Sequence, residues 1–355
     1  MFSGSLGRMN TLVRRPLLPP TNDTEQRSWH RAIAAHVLAG KTEDPSKIAK
    51  AAWPDDARAQ LILRAGVTQT TTADFPTFDP VAAYRSLAPS SAALALFQLG
   101  MALDLTGATT IRIPGVAKDV PYVFVEEGKP APSVKFNFDT DTVLGPVRKI
   151  LLLSAVTEEL EYSNPNNASA VIGRVLSDVA NRGIDAVAFG SAAADVAQPA
   201  GLLHGVTPIT AAAAGPDAMT QDLGALVGTI GAAGIDPSNT VFVAGPRQAM
   251  IMKAKVGSKF DHQVLMTLGL PAKTVAAFAP AGVASGYQSA PVIETSKHPA
   301  WHLEDTTPLD ISDGATVAAP VKSAFQAALI SIKVRANCAW AVTAGAAQVV
   351  EDVNW

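Results

Sequence analysis

Between Val123 and Leu153 the chain reads VFVEEGKPAPSVKFNFDTDTVLGPVRKILLL. That stretch is too charged and proline-broken for a core, yet its alternation is too regular for a disordered loop. Val134, Phe136 and Phe138 alternate with Lys135 and Asn137, the period of two that marks a half-buried strand. Short strands are expected at 109–114 and 121–125, and VRKILLLSAVTEEL is expected to run as a strand that turns helical near Thr157. Strands with polar outer faces around the Gly/Pro-rich EEGKPAPS predict a hairpin that projects. The fold must therefore be one with a use for a long two-stranded arm.

The 355 residues suffice for one elaborated domain or for two or three, with a sizeable core. They are 48% hydrophobic and only 17% charged, against roughly 25% charged in an average soluble domain. So little charge predicts that much of the outer surface is covered. No run reaches 18 apolar residues, so the expected cover is protein and no membrane partner is expected.

A formal net charge of −3 argues against a chain that wraps nucleic acid over its whole surface, but leaves room for a basic patch. Arg8, Arg14 and Arg15 lie in the first 20 residues with no acidic neighbour. A transit peptide or a nucleic-acid-facing tail has this look; the plainer expectation is a flexible, partly ordered terminus without a secretory h-region. The single Cys338 excludes an internal disulfide and a Cys-built metal site and fits a reducing compartment. It is expected as a small buried thiol in an apolar strand.

TEQRSWHRAIAAHVL, 24–38, predicts an amphipathic helix with Trp29, Ile33 and Val37 four apart and Gly40 as its stop. The AGKT that follows is no phosphate loop, because Ala35 stands where the first glycine is needed and a helix precedes it where a strand should. Residues 41–76, with a helix at DARAQLILRAG, are expected to form an arm and not a core. Asn164 and Pro165 give a cap and first turn for a long helix to about Phe189. Ile172, Leu176, Val179 and Val187 are expected to form its apolar stripe, with Arg174, Asp178, Arg182 and Asp185 on the opposite, polar side. Another helix is expected over 217–233, a buried strand at TVFVAG, and a helix from Pro246 to about Lys255. Strands close the chain at ALISIKVRANCAWAV and AAQVV.

No catalytic constellation emerges. His298 and His302 are four apart, but Pro299 interrupts a helix through both and no third ligand is placed, so a surface loop around Trp301 is expected. Glu158 and Glu159 are neighbours and cannot face each other, with Glu161 close by. No Gly-x-Ser-x-Gly elbow or dinucleotide fingerprint occurs, and no local signature pairs Cys338 with a His. The chain reads as a non-enzyme without metal or cofactor.

FVEEGKPAP followed by FDTDTVLGPVRKILLLSAVTEELEYSNP, IGRVLSDVANRGIDAVAFGS followed by QPAGLLHGV, and SAFQAALISIKVRANCAWAV together resemble the major capsid proteins of tailed bacteriophages, the Hong Kong 97 type. The resemblance covers roughly 100 to 355. It implies an α+β capsid fold: an N-terminal segment and arm over 1–107, an extended loop hairpin over 108–150, a peripheral domain with a long spine helix over 151–202 and 316–355, and an axial domain over 203–315. It implies pentamers and hexamers in an icosahedral virion shell enclosing double-stranded DNA, assembled in the bacterial cytoplasm. Scaffold, portal, protease and decoration proteins would be further partners. In that reading Glu126, Glu127, Lys129 and Lys135 make intersubunit contacts, with Val134, Phe136 and Phe138 packing one strand face. Arg174, Asp178, Arg182 and Asp185 are the polar face of the spine helix, and Arg8, Arg14 and Arg15 face DNA. The covalent loop crosslink of some members is not expected, because ISDGATVAAPVKSA lacks an Asn. An encapsulin-like nanocompartment shell is the alternative of the same fold, and an α/β enzyme with an unrecognised site the alternative of another class.

Overall fold

The computed structural model describes residues 23–39, 44–64, 84–85, 87–116, 124–125, 127, 129–130, 136–157, 165–256, 261–288, 291–296, 300–301, 322–323, 325 and 328–355. They form a mixed α+β fold organised around two sheets, with β10 (Ala300–Trp301) and β11 (Lys322–Ser323) in a small antiparallel ladder of their own.

The larger sheet is built on one strand. β12 (Leu329–Val342) pairs antiparallel with β4 (Arg148–Thr157) along one side, and with β9 (Val292–Ser296) and β8 (Val283–Tyr287) along the other; β1 (Met101–Asp104) adds parallel to β8. Ile330, Ile332, Val334, Ala336 and Cys338 of β12 are buried at alternate positions, the period that puts successive side chains on opposite faces. Against this face lies α5 (Pro165–Ala188), through Ile172, Leu176, Ala180, Ile184 and Ala188. That four-residue spacing keeps one helical face on the sheet, and each buried Ile or Leu contributes about 1.5–3 kcal/mol.

The smaller sheet has the order β13 (Ala347–Val350), β7 (Val275–Phe278), β5 (Val241–Ala244), β6 (Val264–Met266). β5 and β7 are buried at every position because each face serves a different core. Val241, Val243, Ala276 and Phe278 join the core shared with α5, while Phe242, Ala244, Val275 and Ala277 pack with α6 (Ala218–Ala232) and α7 (Pro246–Val256). This explains why VFVA is apolar throughout, as a two-faced central strand is.

The hairpin is real, with adjusted limits. β2 (Ile111–Val116) pairs antiparallel with β3 (Phe136–Leu144), and the register shifts between Ile113 and Gly115. The shift falls at Pro114, which has no N–H to give to a ladder. Phe124 and Val125 lie outside any strand, so the strand expected at 121–125 does not include its last two residues; 121–123 fall outside the described residues. Gly145 then turns the chain into β4 at φ 117°, where an added Cβ would sit 2.4 Å from the Thr109 carbonyl oxygen; only glycine fits such a turn.

The N-terminal part departs from the expectation of an arm. α1 (Asp23–Ala39), α2 (Pro45–Ala52) and α3 (Ala57–Arg64) pack together around Ala34, Ala35, Ala49 and Trp53. Ile33 and Val37 of α1 enter the main core beside α5. Asp56 joins these helices by accepting from Ser28 Oγ at 2.7 Å, Arg31 at 2.8 Å and the Ala59 N–H at 3.0 Å. Further along, α4 (Ala92–Leu99) is almost wholly buried and capped by Ser91, whose hydroxyl accepts from the Leu94 N–H at 3.2 Å. Burial of α4 and pairing of β1 place 92–104 in the central body, not in an arm.

The expected segment limits also interleave. β8 and β9 fall within 203–315 yet pair with β12, whereas β13 falls within 316–355 yet pairs with β7. The chain crosses between the two sheets after β4, after β7 and again after β12.

Candidate assembly surface

The surface of the larger sheet that faces away from α5 is built by register. Leu151 of β4 lies opposite Arg335 of β12, which lies opposite Val292 of β9; the next row is Leu153, Lys333 and Glu294. Lys333 and Glu294 form an ion pair. Leu151 and Leu153 are 44% and 53% exposed, because alternation along β4 sends Ile150 and Leu152 to the core and its odd neighbours outward. A contiguous exposed apolar patch rimmed by charge marks an interaction surface. Sequence reading missed it, since KILLLSAV is apolar at nearly every position and does not say which residues face out.

The long helix α5 presents a second such surface. Arg174, Asp178 and Arg182 are exposed, as expected for a polar face. Val171, Val175 and Val179 are exposed beside them, so Val179 belongs to the outer face and not to the buried stripe. Asp185 is a correction of the opposite kind: it is only 5% exposed. Its carboxylate accepts from Ser91 Oγ at 2.6 Å, from the Ala92 and Ala93 N–H groups at 3.2 and 3.0 Å, and from Thr267 Oγ1 at 2.7 Å. Such a fully bonded carboxylate is tolerated in a core, and it holds α4, α5 and the segment after β6 to one another.

Of the hairpin residues expected at a subunit contact, Glu127 and Lys129 are exposed. Phe136 and Phe138 lie in β3. Glu126, Val134 and Lys135 fall outside the described residues, as do Arg8, Arg14 and Arg15, the pair His298 and His302, and the cluster Glu158, Glu159 and Glu161. Phe124, next to the expected contact residues, is 97% exposed.

Burial pushes the Cys338 thiol up to about 12, so it stays protonated at neutral pH and is no nucleophile. Tyr84, its hydroxyl bonded to the Asn337 carbonyl at 2.8 Å, is likewise pushed up, chiefly by burial. Among the described residues no three His, Cys, Asp or Glu side chains are grouped to hold a metal ion, and no described helix is long and apolar enough to cross a membrane.

No family model and no curated protein matches the chain. Solved structures do. A structure from Mycobacterium phage Bobi matches with a TM-score of 0.50 at 12% identity, covering 84% of this chain and 98% of that chain. One from Microbacterium phage Oxtober96 matches with a TM-score of 0.49 at 15% identity, over 84% and 99%. A third, the capsid of an empty GTA particle computed with C5 symmetry, matches with a TM-score of 0.47 at 13% identity, over 81% and 95%. From Bobi, the likeness extends over nearly the whole of the matched chain and most of this one. The fold of this chain is therefore the fold of a phage structure.

Proposed function

We propose that this chain is a major capsid protein of the Hong Kong 97 type, which self-assembles into the icosahedral shell enclosing the double-stranded DNA of a tailed phage or prophage. The observation that carries this reading is the fold shared with the phage Bobi structure over 84% of the chain. Two exposed apolar surfaces on regular elements, Leu151 and Leu153 on β4 and the valines of α5, support it, because a lone subunit has no reason to leave them wet. In this reading β2 and β3 are the legs of the extended loop over 108–150, α5 is the spine helix of the peripheral domain, and the sheet built on β5 and β7 lies in the axial domain.

Glu126, Glu127, Lys129 and Lys135 make contacts with a neighbouring copy. Exposed pairs of this kind are worth only about 0–1 kcal/mol each, yet many of them acting together hold a shell. Arg8, Arg14 and Arg15 meet packaged DNA through phosphates, a contact independent of sequence and weakened by salt. The test is negative-stain electron microscopy of the chain expressed alone, beside size-exclusion chromatography. Rings of five or six copies, or closed particles, are expected. A chain that stays monomeric or dimeric at high concentration overturns self-assembly of the chain alone.

A further inference from the structure

Strand β12 is paired unequally along its two sides. On one side β4 covers 329–338 and stops at Arg148, opposite Cys338; on the other, β9 and then β8 carry the pairing on to Val342. Among the described residues no strand pairs with 339–342 on the β4 side. The Asn337 carbonyl accepts from the Gln288 N–H, and the Thr343 N–H donates to the Gly282 carbonyl, so the odd positions aim their backbone groups toward β8. Alternate positions of an antiparallel strand aim theirs the other way. The N–H and C=O groups of Trp340 and Val342 therefore point across an open edge, which is a template for another strand.

That edge opens into a groove of about 900 Å³. The groove follows the line β4 would take if it continued, with Arg148 at one end and Gly345 at the other. Both of its sides are apolar. On one, the Trp340 indole N–H donates to the Ala200 carbonyl at 2.9 Å, beside Leu202 and Val206. On the other, Ala339 and Ala341 pack with Leu144 at the root of the hairpin. Among the described lining residues there is no Asp or Glu, and Arg148 is the one Lys or Arg. Its guanidinium donates to the Asp195 carbonyl at 2.6 Å, but its Nε is buried without a partner.

We propose that this edge is a docking site for a second protein, which adds an extended apolar segment ending in an acidic residue as a further strand beside 339–342. A segment antiparallel to β12 lies end to end with β4, so its last residue comes next to Arg148. A carboxylate there supplies the acceptor that the guanidinium lacks. Four residues span about 13 Å at roughly 3.3 Å each, enough for main-chain bonds to both Trp340 and Val342 while the apolar walls select side chains, the mode of β-strand addition. Residues 1–20 of this chain do not fit: they carry Arg8, Arg14 and Arg15 without an acidic residue, and they end in Pro19 and Pro20, which have no N–H to give. The site goes beyond the capsid reading, which concerns contacts between copies. In a shell it recurs once per subunit, so a partner with several such segments binds far more tightly than one segment does.

The test is binding of two synthetic peptides, acetyl-Ser-Val-Ile-Val-Glu amide and the same peptide ending in Lys, to the chain expressed alone, read by displacement of a fluorescein-labelled Glu peptide. The Glu peptide is expected to bind about tenfold or more tightly than the Lys peptide, and Arg148→Glu to reverse that order. A second arm needs no variant: N-methylation of one alternate set of peptide amides is expected to weaken binding about tenfold or more, and of the other set to leave it unchanged. Hydrogen exchange of the Trp340 and Val342 amides is expected to slow in the complex. Equal affinity for both peptides, or an equal effect of methylating either set, overturns the added strand. Trp340 and Val342 amides that exchange quickly in free subunits and slowly in particles without peptide show that a second copy fills the edge, and overturn the proposed partner. Particles that form and bind no peptide overturn the site and leave the shell reading standing. Peptide binding by a chain that forms neither rings nor particles supports the site apart from the shell.

Discussion

Asp185 and Ser91 lie 94 residues apart in the chain and share a 2.6 Å hydrogen bond. The same carboxylate accepts from the first two N–H groups of α4 and from Thr267 beyond β6. Asp185→Ala leaves four donors without an acceptor in a site that water does not reach. A loss of roughly 3 kcal/mol or more is expected, since hydrogen bonds to charged groups contribute about 1.5–3 kcal/mol each and are not additive. Asp185→Asn keeps an acceptor oxygen and loses less. Urea midpoints of the two variants check this; equal midpoints would show that the carboxylate holds nothing.

The contact between α1 and α5 makes a sharper comparison between two glycines of one helix. A Cβ on Gly173 would meet the His30 ring at 2.2 Å, whereas one on Gly183 would meet nothing within 4 Å. Gly173→Ala is expected to push α1 off the helix at a penalty of about 1–3 kcal/mol. Gly183→Ala is expected to stabilise by about 0.5–1 kcal/mol, the difference in helix propensity. Opposite shifts in thermal midpoint are the expected result. A gain at both positions would mean that α1 does not pack where the structure has it.

Much of this packing was legible from periodicity. α5, α6, α7 and β12 were each readable because one face is apolar and the other is not, or because an Asn-Pro or Gly marks an end. α4 escaped, since AALALFQL has no polar face to set a period; it is buried on every side up to Phe97. Asp185 escaped for a different reason. A carboxylate three residues after Arg182 reads as a solvent-facing charge, and its partners Ser91 and Thr267 lie 94 and 82 residues away, beyond any local pattern. The interleaving of the two sheets was hidden in the same way: pairing of β13 with β7 and of β8 with β12 is a long-range choice made by packing.

Acid should loosen the N-terminal helices before the sheets. Burial opposes ionisation of Asp56, but the Ala59 N–H, the Ser28 hydroxyl and the Arg31 guanidinium outweigh it and hold the carboxyl below its usual range. A group depressed on folding contributes stability that is fully present above its unfolded value, about 3.9 for Asp, and is lost as pH falls through the lower folded value. The expected outcome is a wild-type urea midpoint that drops below about pH 4, with part of that drop absent in Asp56→Asn. An unchanged pH profile in the variant would assign the acid sensitivity elsewhere.

Leu153 separates folding from assembly. It is 53% exposed and lies opposite Lys333 in the sheet, so Leu153→Glu places a carboxylate against an ammonium, a cross-strand pair worth about 0.2–1 kcal/mol in favour of the fold. The same change removes an apolar side chain from the outer face, and burying a leucine at a contact contributes about 1.5–3 kcal/mol. Subunit association is then expected to weaken about ten- to a hundredfold, with thermal stability of the isolated subunit unchanged or slightly raised. Sedimentation velocity against concentration, paired with a thermal melt, reads both quantities on one sample. A variant that melts early would place Leu153 within the fold of a single subunit, and one that assembles as well as the wild type would show that this sheet face stays wet in the particle.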